Sequence, residues 1–268
     1  MNAHELFHAG KLREAVAAAT EGVKQHPSDS SRRFLLAELL CFSGDLERAD
    51  NHLDAISHND PQSIAAIHVF RQLIRAEQAR QQFYAEGRLP TFLGKPEGPV
   101  LLMLEASILI REGKFAEASA LLEQVEEQRP KVSGVCDNAP FHDFRDLDDL
   151  NSCVFEVLTV KGDYYWVPVD RVESIEFREP LRPRDLFWRN THLIVRDGPD
   201  AEVFIPVLYP RAAVEDDDLA RLGRLTDWRG GDGAPVRGVG QRTFLIGEET
   251  RSILELHDLS FGDEEPPA

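Results

Sequence analysis

The sequence predicts an α+β protein, with helical hairpins over residues 1–135 and a smaller, mixed, mainly antiparallel β region over 136–268. Three observations carry this expectation. One cassette occurs three times, as Gly10-Lys-Leu12-Arg-Glu-Ala15, Gly44-Asp-Leu46-Glu-Arg-Ala49 and Gly113-Lys-Phe115-Ala-Glu-Ala118. A proline follows each glycine at one fixed spacing, at Pro27, Pro61 and Pro130. Near residue 135 helical periodicity gives way to short runs rich in β-branched and aromatic residues.

The helical half follows from the cassettes. Gly10 and Gly44 lie 34 residues apart, the period of a tetratricopeptide-like hairpin. Each glycine closes a turn between antiparallel helices. Leu12, Leu46 and Phe115 then share an inward face with Ala15, Ala49 and Ala118, and Ala19, Leu53 and Leu122 extend the stripe. Proline cannot continue a helix, so each repeat stops at or before its proline. Asp60-Pro61 also reads as a capped helix start. A turn expected near residue 78 is missing, and 63–86 runs helical without a glycine to fold it back. Either a repeat has degenerated or one long helix replaces it. Three prolines and two glycines between 89 and 99 mark a loop before a helix resumes at 100–111, giving six or seven helices.

In the second half, residues 153–160 and 164–169 read as two strands around Lys161-Gly-Asp163. Strand patterns continue at 174–177, 191–195 and 201–207, with a later pair at 243–246 and 252–256 beyond a long irregular stretch. A small antiparallel sheet or partly closed barrel results. The segment that holds Cys136-Asp137 and His142-Asp143 reads as the connection between the halves.

Charge is uneven. Residues 1–135 hold 15 Lys and Arg against 19 Asp and Glu, whereas 136–268 hold 15 against 28, so most of the net charge of −17 lies in the second half. The acidic runs at 143–149, 215–218 and 263–265 read as solvated loops and a tail. A nucleic-acid partner is disfavoured for want of a basic face. No apolar run approaches the roughly 20 residues a bilayer requires, and Met1-Asn-Ala-His-Glu does not resemble a signal peptide. The expectation is a cytoplasmic protein with no membrane partner. Cys41, Cys136 and Cys153 are not expected to form organising disulfides.

Catalytic signatures are weak. Gly230-Gly-Asp-Gly-Ala-Pro-Val-Arg-Gly-Val-Gly-Gln-Arg242 lacks the Gly-Lys-Ser/Thr ending of a phosphate cradle. His4-Glu-Leu-Phe-His8 fits zincin spacing literally, so a metal-dependent hydrolase using His4, Glu5 and His8 is the alternative function. Against it, the motif opens the first repeat helix, Leu6 and Phe7 serve the repeat core, and no third ligand follows at metzincin spacing. Cys136-Asp137 with His142-Asp143 matches no nucleophile motif. Arg224, Asp227 and Arg242 read as a salt-bridged brace, and Trp166, Trp188 and Trp228 as core or interface anchors. No cofactor is expected.

Tyr165-Trp-Val-Pro168, Asp185-Leu-Phe-Trp-Arg189, Pro206-Val-Leu-Tyr-Pro210, Leu222-Gly-Arg-Leu-Thr-Asp-Trp228 and Gly238-Val-Gly-Gln-Arg-Thr-Phe-Leu245 resemble, in order, the blocks of the ImpE/SciE family, also called TagJ. One departure is Arg211-Ala212, where the family pattern has a small Gly-Ser pair. The resemblance covers nearly the whole chain. It implies a noncatalytic accessory of bacterial type VI secretion that binds the small sheath subunit through a helix near that subunit's N-terminus. It further implies an influence on sheath assembly or on recycling by the AAA+ unfoldase, which this protein would meet indirectly. An adaptor for another secretion component, such as an effector, is the neighbouring reading. Candidate partner-binding residues in the family blocks are Trp166, Trp188, Arg224, Asp227, Trp228, Gln241 and Arg242.

Overall fold

The structure is a computed structural model that describes residues 1–56, 61–210 and 212–262, excluding the side chains of 61–63. The expected cap at Asp60, the departure at Arg211 and the acidic tail from 263 lie outside the described residues.

The first half is helical: α1 (Ala3–His8), α2 (Leu12–Gln25), α3 (Ser30–Phe42), α4 (Leu46–Asp54), α5 (Pro61–Glu86), then a two-residue strand β1 (Thr91–Phe92), α6 (Pro99–Arg111) and α7 (Phe115–Gln128). The three cassette glycines form the same turn. Gly10, Gly44 and Gly113 have φ of 79°, 76° and 75°, a left-handed conformation that glycine adopts without a Cβ clash. In each turn the residue after glycine donates its N–H to the carbonyl five positions back: Lys11 to Leu6 and Asp45 to Leu40 at 3.0 Å, and Lys114 to Leu109 at 2.9 Å. Glycine's own N–H reaches three positions back. This is the Schellman arrangement, which satisfies the orphan carbonyls of the ending helix while reversing the chain.

The inward stripe is buried at Leu12, Ala15, Ala19, Leu46, Ala49, Leu53, Ala118 and Leu122. Phe115 departs from expectation: it is 49% exposed. It stands at the first position of α7. The missing turn near 78 is resolved as a single 26-residue helix, α5. Its buried residues Phe70, Leu73, Ile74, Ala76 and Phe83 pack it into the core.

The second half continues with β2 (Gly134–Cys136), β3 (Ala139–Phe141), β4 (Phe144–Asp146), β5 (Val154–Leu158), β6 (Tyr164–Pro168), β7 (Val172–Phe177), β8 (Trp188–Val195) and β9 (Asp200–Pro206). A short helix α8 (Asp218–Arg221) precedes β10 (Thr226–Gly231), β11 (Ala234–Gly240), β12 (Thr243–Ile246), β13 (Glu249–Ser252) and β14 (Asp258–Phe261). The main sheet runs β1-β6-β5-β9-β8-β7-β14-β2-β3, beside a three-stranded sheet β13-β12-β4 and the hairpin β10-β11. Among the described residues every strand pairing is antiparallel except that of β1 with β6.

Two regions expected to be irregular are regular. After residue 136 the chain runs into two further strands, β3 and β4, and β2 and β3 are joined through Asp137 and Asn138 at φ 49° and 69°, the left-handed pair that a tight hairpin requires. The stretch after 222 is the β10–β11 hairpin, whose turn places Gly231, Asp232 and Gly233 at positive φ. The final expected strand, 252–256, is displaced: β13 ends at Ser252, and 253–255 form a 3-10 turn. Buried apolar residues form one contiguous cluster from Leu6 to Phe261. Across it, Phe42 meets Phe187 at 5.1 Å, Phe70 meets Trp188 at 6.0 Å and Phe83 meets Trp166 at 4.8 Å between ring centroids. Helices and sheet therefore share a core. No described helix is long and apolar enough to cross a membrane.

Candidate functional site at the seam between helices and sheet

Polar residues sealed in that shared core form a charge network. Arg80 of α5 donates from Nε and Nη2 to Glu156 of β5 at 3.0 and 2.9 Å, from Nη1 to Glu77 at 3.1 Å, and from Nη2 to the Leu208 carbonyl at 2.9 Å. Arg242 joins Glu156 to Asp146, the latter at 3.0 Å. Tyr209 donates to Asp146 at 2.8 Å, and Tyr84 donates to Glu156 at 2.9 Å. Trp166 donates through Nε1 to the Tyr164 hydroxyl, which in turn donates to Glu156, while Trp188 donates to Glu77 at 3.0 Å.

Burial alone would raise the Glu156 carboxyl, but Arg80 and Arg242 hold it well below the ordinary carboxylate range. Burial pushes Asp146 up to about 7 against the pull of Arg242, and it also raises Glu77. The network ties α5, β4, β5 and the segment after β11 together. Since Arg80, Glu156, Asp146 and Arg242 are at most 2% exposed, it is a brace closed to any reactant.

The residues singled out from sequence separate accordingly. Trp166, Trp188 and Arg242 are fully buried and offer no face to a partner. Their ring and guanidinium groups are consumed by the core and the network. Arg224 caps the end of α1, donating to the carbonyls of His8 and Phe7 at 2.6 Å each. Asp227 pairs with Arg229 and accepts from the Trp228 N–H at 2.9 Å on an exposed strand. Trp228 is at the surface, its ring 5.8 Å from that of Tyr209. Gln241 works through its backbone, bonding to Leu225 and Thr226.

The catalytic alternatives meet specific geometry. His4 and His8 lie edge to face with centroids 4.4 Å apart, and the Glu5 carboxylate accepts from the Asn2 N–H in a helix capping box. Among the described residues no three His, Cys, Asp or Glu side chains gather as metal ligands would. The Cys136 thiol is pushed up to about 11 by burial, so it stays protonated near neutrality. Asp143 is taken up by Arg129 at 2.6 and 2.7 Å. The glycine-rich tract is a packing device. A Cβ on Gly238 would lie 2.2 Å from the Tyr209 ring, and one on Gly240 would lie 2.0 Å from the Leu225 carbonyl oxygen.

Open grooves remain at the seam. One, of about 430 Å³, is bounded by the Gly44 turn, α5, the end of α6, Pro210, Ala213, Val214 and β11. Its wall mixes Ala85, Ile110, Leu150 and Val214 with Arg111 and Arg237. Another, of about 330 Å³, lies between the 92–100 loop and the end of β6, with Phe92, Leu93 and Pro168 in its lining. Sequence reasoning missed Arg80, Glu77 and Glu156 as a unit. The available signal was a lone charge at an inward position of an apolar strand, Val154-Phe-Glu156-Val-Leu158.

A helical-repeat array fused through a buried ionic brace to an antiparallel sheet defines a scaffold protein. Residues 6–74 match the tetratricopeptide repeat model, and residues 138–260 match that of ImpE protein. The chain is 33% identical over 261 residues to the type VI secretion system accessory component TagJ of Pseudomonas aeruginosa, covering 97% of this chain and 91% of that protein. The crystal structure of protein VPA1032 from Vibrio parahaemolyticus is also similar, with a TM-score of 0.89, 26% identity and 98% of each chain covered. The chain belongs to the ImpE family.

Proposed function

We propose that this chain is a noncatalytic accessory protein of bacterial type VI secretion, an adaptor that works in the cytoplasm. In this reading it binds the small sheath subunit through a helix near that subunit's N-terminus, and so influences sheath assembly or its recycling by the unfoldase. The observation that carries the reading is similarity, over nearly the full length of both chains, to a protein named as an accessory component of that system. Physical chemistry supports it. Helical-repeat arrays present grooves that suit amphipathic helices, and the charged residues of the core are consumed in holding the two halves together.

The test is retention of purified small sheath subunit, intact or lacking its N-terminal helix, on the immobilised protein. The reading expects the intact subunit to be retained and the truncated one to pass. Equal behaviour of the two would remove helix recognition, and no retention of either would remove the adaptor role.

A further inference from the structure

We infer that Asp227 and Arg229 close the free edge of β10 against strand pairing, and that with this guard removed the edge pairs with β10 of a second copy of this chain. The guard does not depend on what else the protein binds.

Among the described residues β10 pairs on one side only, with β11. Gln241 donates to the Leu225 carbonyl at 3.0 Å, and antiparallel bonding alternates along a strand, so Asp227 and Arg229 turn their backbone toward β11 while Thr226 and Trp228 turn theirs outward. Such an outward edge is a template for another chain. At Trp228 it is shut, because the N–H donates to the Asp227 carboxylate at 2.9 Å and the carbonyl accepts from Arg229 Nη1 at 3.5 Å. The two side chains also pair with each other, and Glu215, ahead of α8, holds Arg229 at 3.3 Å. Arg229 and the Trp228 N–H keep the Asp227 carboxyl below the ordinary carboxylate range, so the guard is charged at neutral pH.

Shorter free edges are closed by other means. The three-residue β3 ends the main sheet with Pro140, which has no N–H, at its centre. At β13, which ends the three-stranded sheet, the Ser252 N–H is taken by Glu255 at 2.7 Å. Strand β10 is longer, at six residues, and carries Trp228 at 36% exposure. A two-stranded hairpin is marginal by itself, so β10 has the most to gain from a further strand. A second copy fits that edge: with Trp228 opposite its own counterpart across a two-fold axis, Asp227 of each copy lies opposite Arg229 of the other. In the wild type this exchange replaces the guard's internal bonds with equivalent ones between copies, and little is gained. Threonine at both positions instead frees the Trp228 backbone groups, favours extended chain and sets threonine opposite threonine.

The experiment compares the full-length wild type, the double variant Asp227→Thr with Arg229→Thr, and a control, Glu176→Thr with Arg178→Thr, by sedimentation velocity over a concentration series. The control removes an exposed ion pair at β7, a strand that already has a neighbour on each side. The Asp227 and Arg229 side chains are half exposed, and circular dichroism with an unfolding midpoint verifies each fold. If the double variant unfolds, Arg229→Thr alone, which frees the Trp228 carbonyl, is measured in its place. The guard predicts that wild type and control stay monomeric where the variant dimerises, a gain in self-association of about tenfold or more. Amide exchange in that dimer should show new protection at 226–229. A wild type that already dimerises with those amides protected would overturn the guard. A folded variant that associates no more than the control, or that associates without protection at 226–229, would overturn the pairing edge.

Discussion

Replacing Arg80 with methionine keeps most of the stem's packing but removes the cation between Glu77 and Glu156. Three donor contacts to carboxylates and one to the Leu208 carbonyl disappear. Arg242 still serves Glu156, whereas Glu77 keeps the Trp188 indole as its partner. Breaking a buried pair in this way costs about 3–5 kcal/mol. The loss must depend on pH, since the network relieves itself by taking up a proton. Protonating a carboxyl of ordinary pKa costs about 5 kcal/mol near pH 8 but about 1.6 kcal/mol near pH 5.5. The variant should therefore be destabilised by about 4 kcal/mol near pH 8 and by at least ~2 kcal/mol less near pH 5.5. Urea unfolding followed by tryptophan fluorescence and by circular dichroism measures both. A loss below about 1 kcal/mol, or one equal at the two pH values, would refute the brace as the main tie between helices and sheet.

Two further expectations follow from the same seam. Burial pushes Glu38 of α3 up to about 7, with Arg184 and Arg182 opposing and Asp185 adding to the rise, so the folded state binds its proton more tightly than the unfolded chain. Its contribution is complete below about pH 4.5 and is lost as pH rises toward 7, by on the order of 3 kcal/mol. Glu38→Gln should flatten that slope in unfolding measurements across the window, and an unchanged slope would contradict it. The turn glycines give a matched pair: Gly113→Ala meets nothing within 4 Å, whereas at Gly10 the new Cβ would lie 2.8 Å from Leu219. Both substitutions should cost about 1–2 kcal/mol for left-handed backbone, with a further loss at Gly10 alone. Equal losses would show that the α1–α2 turn does not press on α8.

Much of the fold was legible because it is written in local chemistry. The glycine cassettes specify three turns by backbone conformation alone, and the strands from 154 to 206 are runs rich in β-branched and aromatic residues that announce themselves. The β10–β11 hairpin was not legible, since most of β10 is exposed and its residues Thr-Asp-Trp-Arg-Gly-Gly carry no apolar alternation. The β2–β3 hairpin turns on Asp137-Asn138, a weaker signal than Asn-Gly. At the seam, Trp166 and Trp188 could be recognised as anchors but not assigned to the interior, because an indole serves core and interface equally. The pairing of Arg80 with Glu156 joins residues 76 positions apart, which no local pattern encodes.

The central claim, that this chain is an adaptor that takes up the small sheath subunit, is tested most directly by amide hydrogen exchange of the full chain with and without that subunit. The account predicts new protection on one contiguous face of this chain, absent when the subunit lacks its N-terminal helix. Exchange unchanged by the intact subunit, or changed equally by the truncated one, would contradict it.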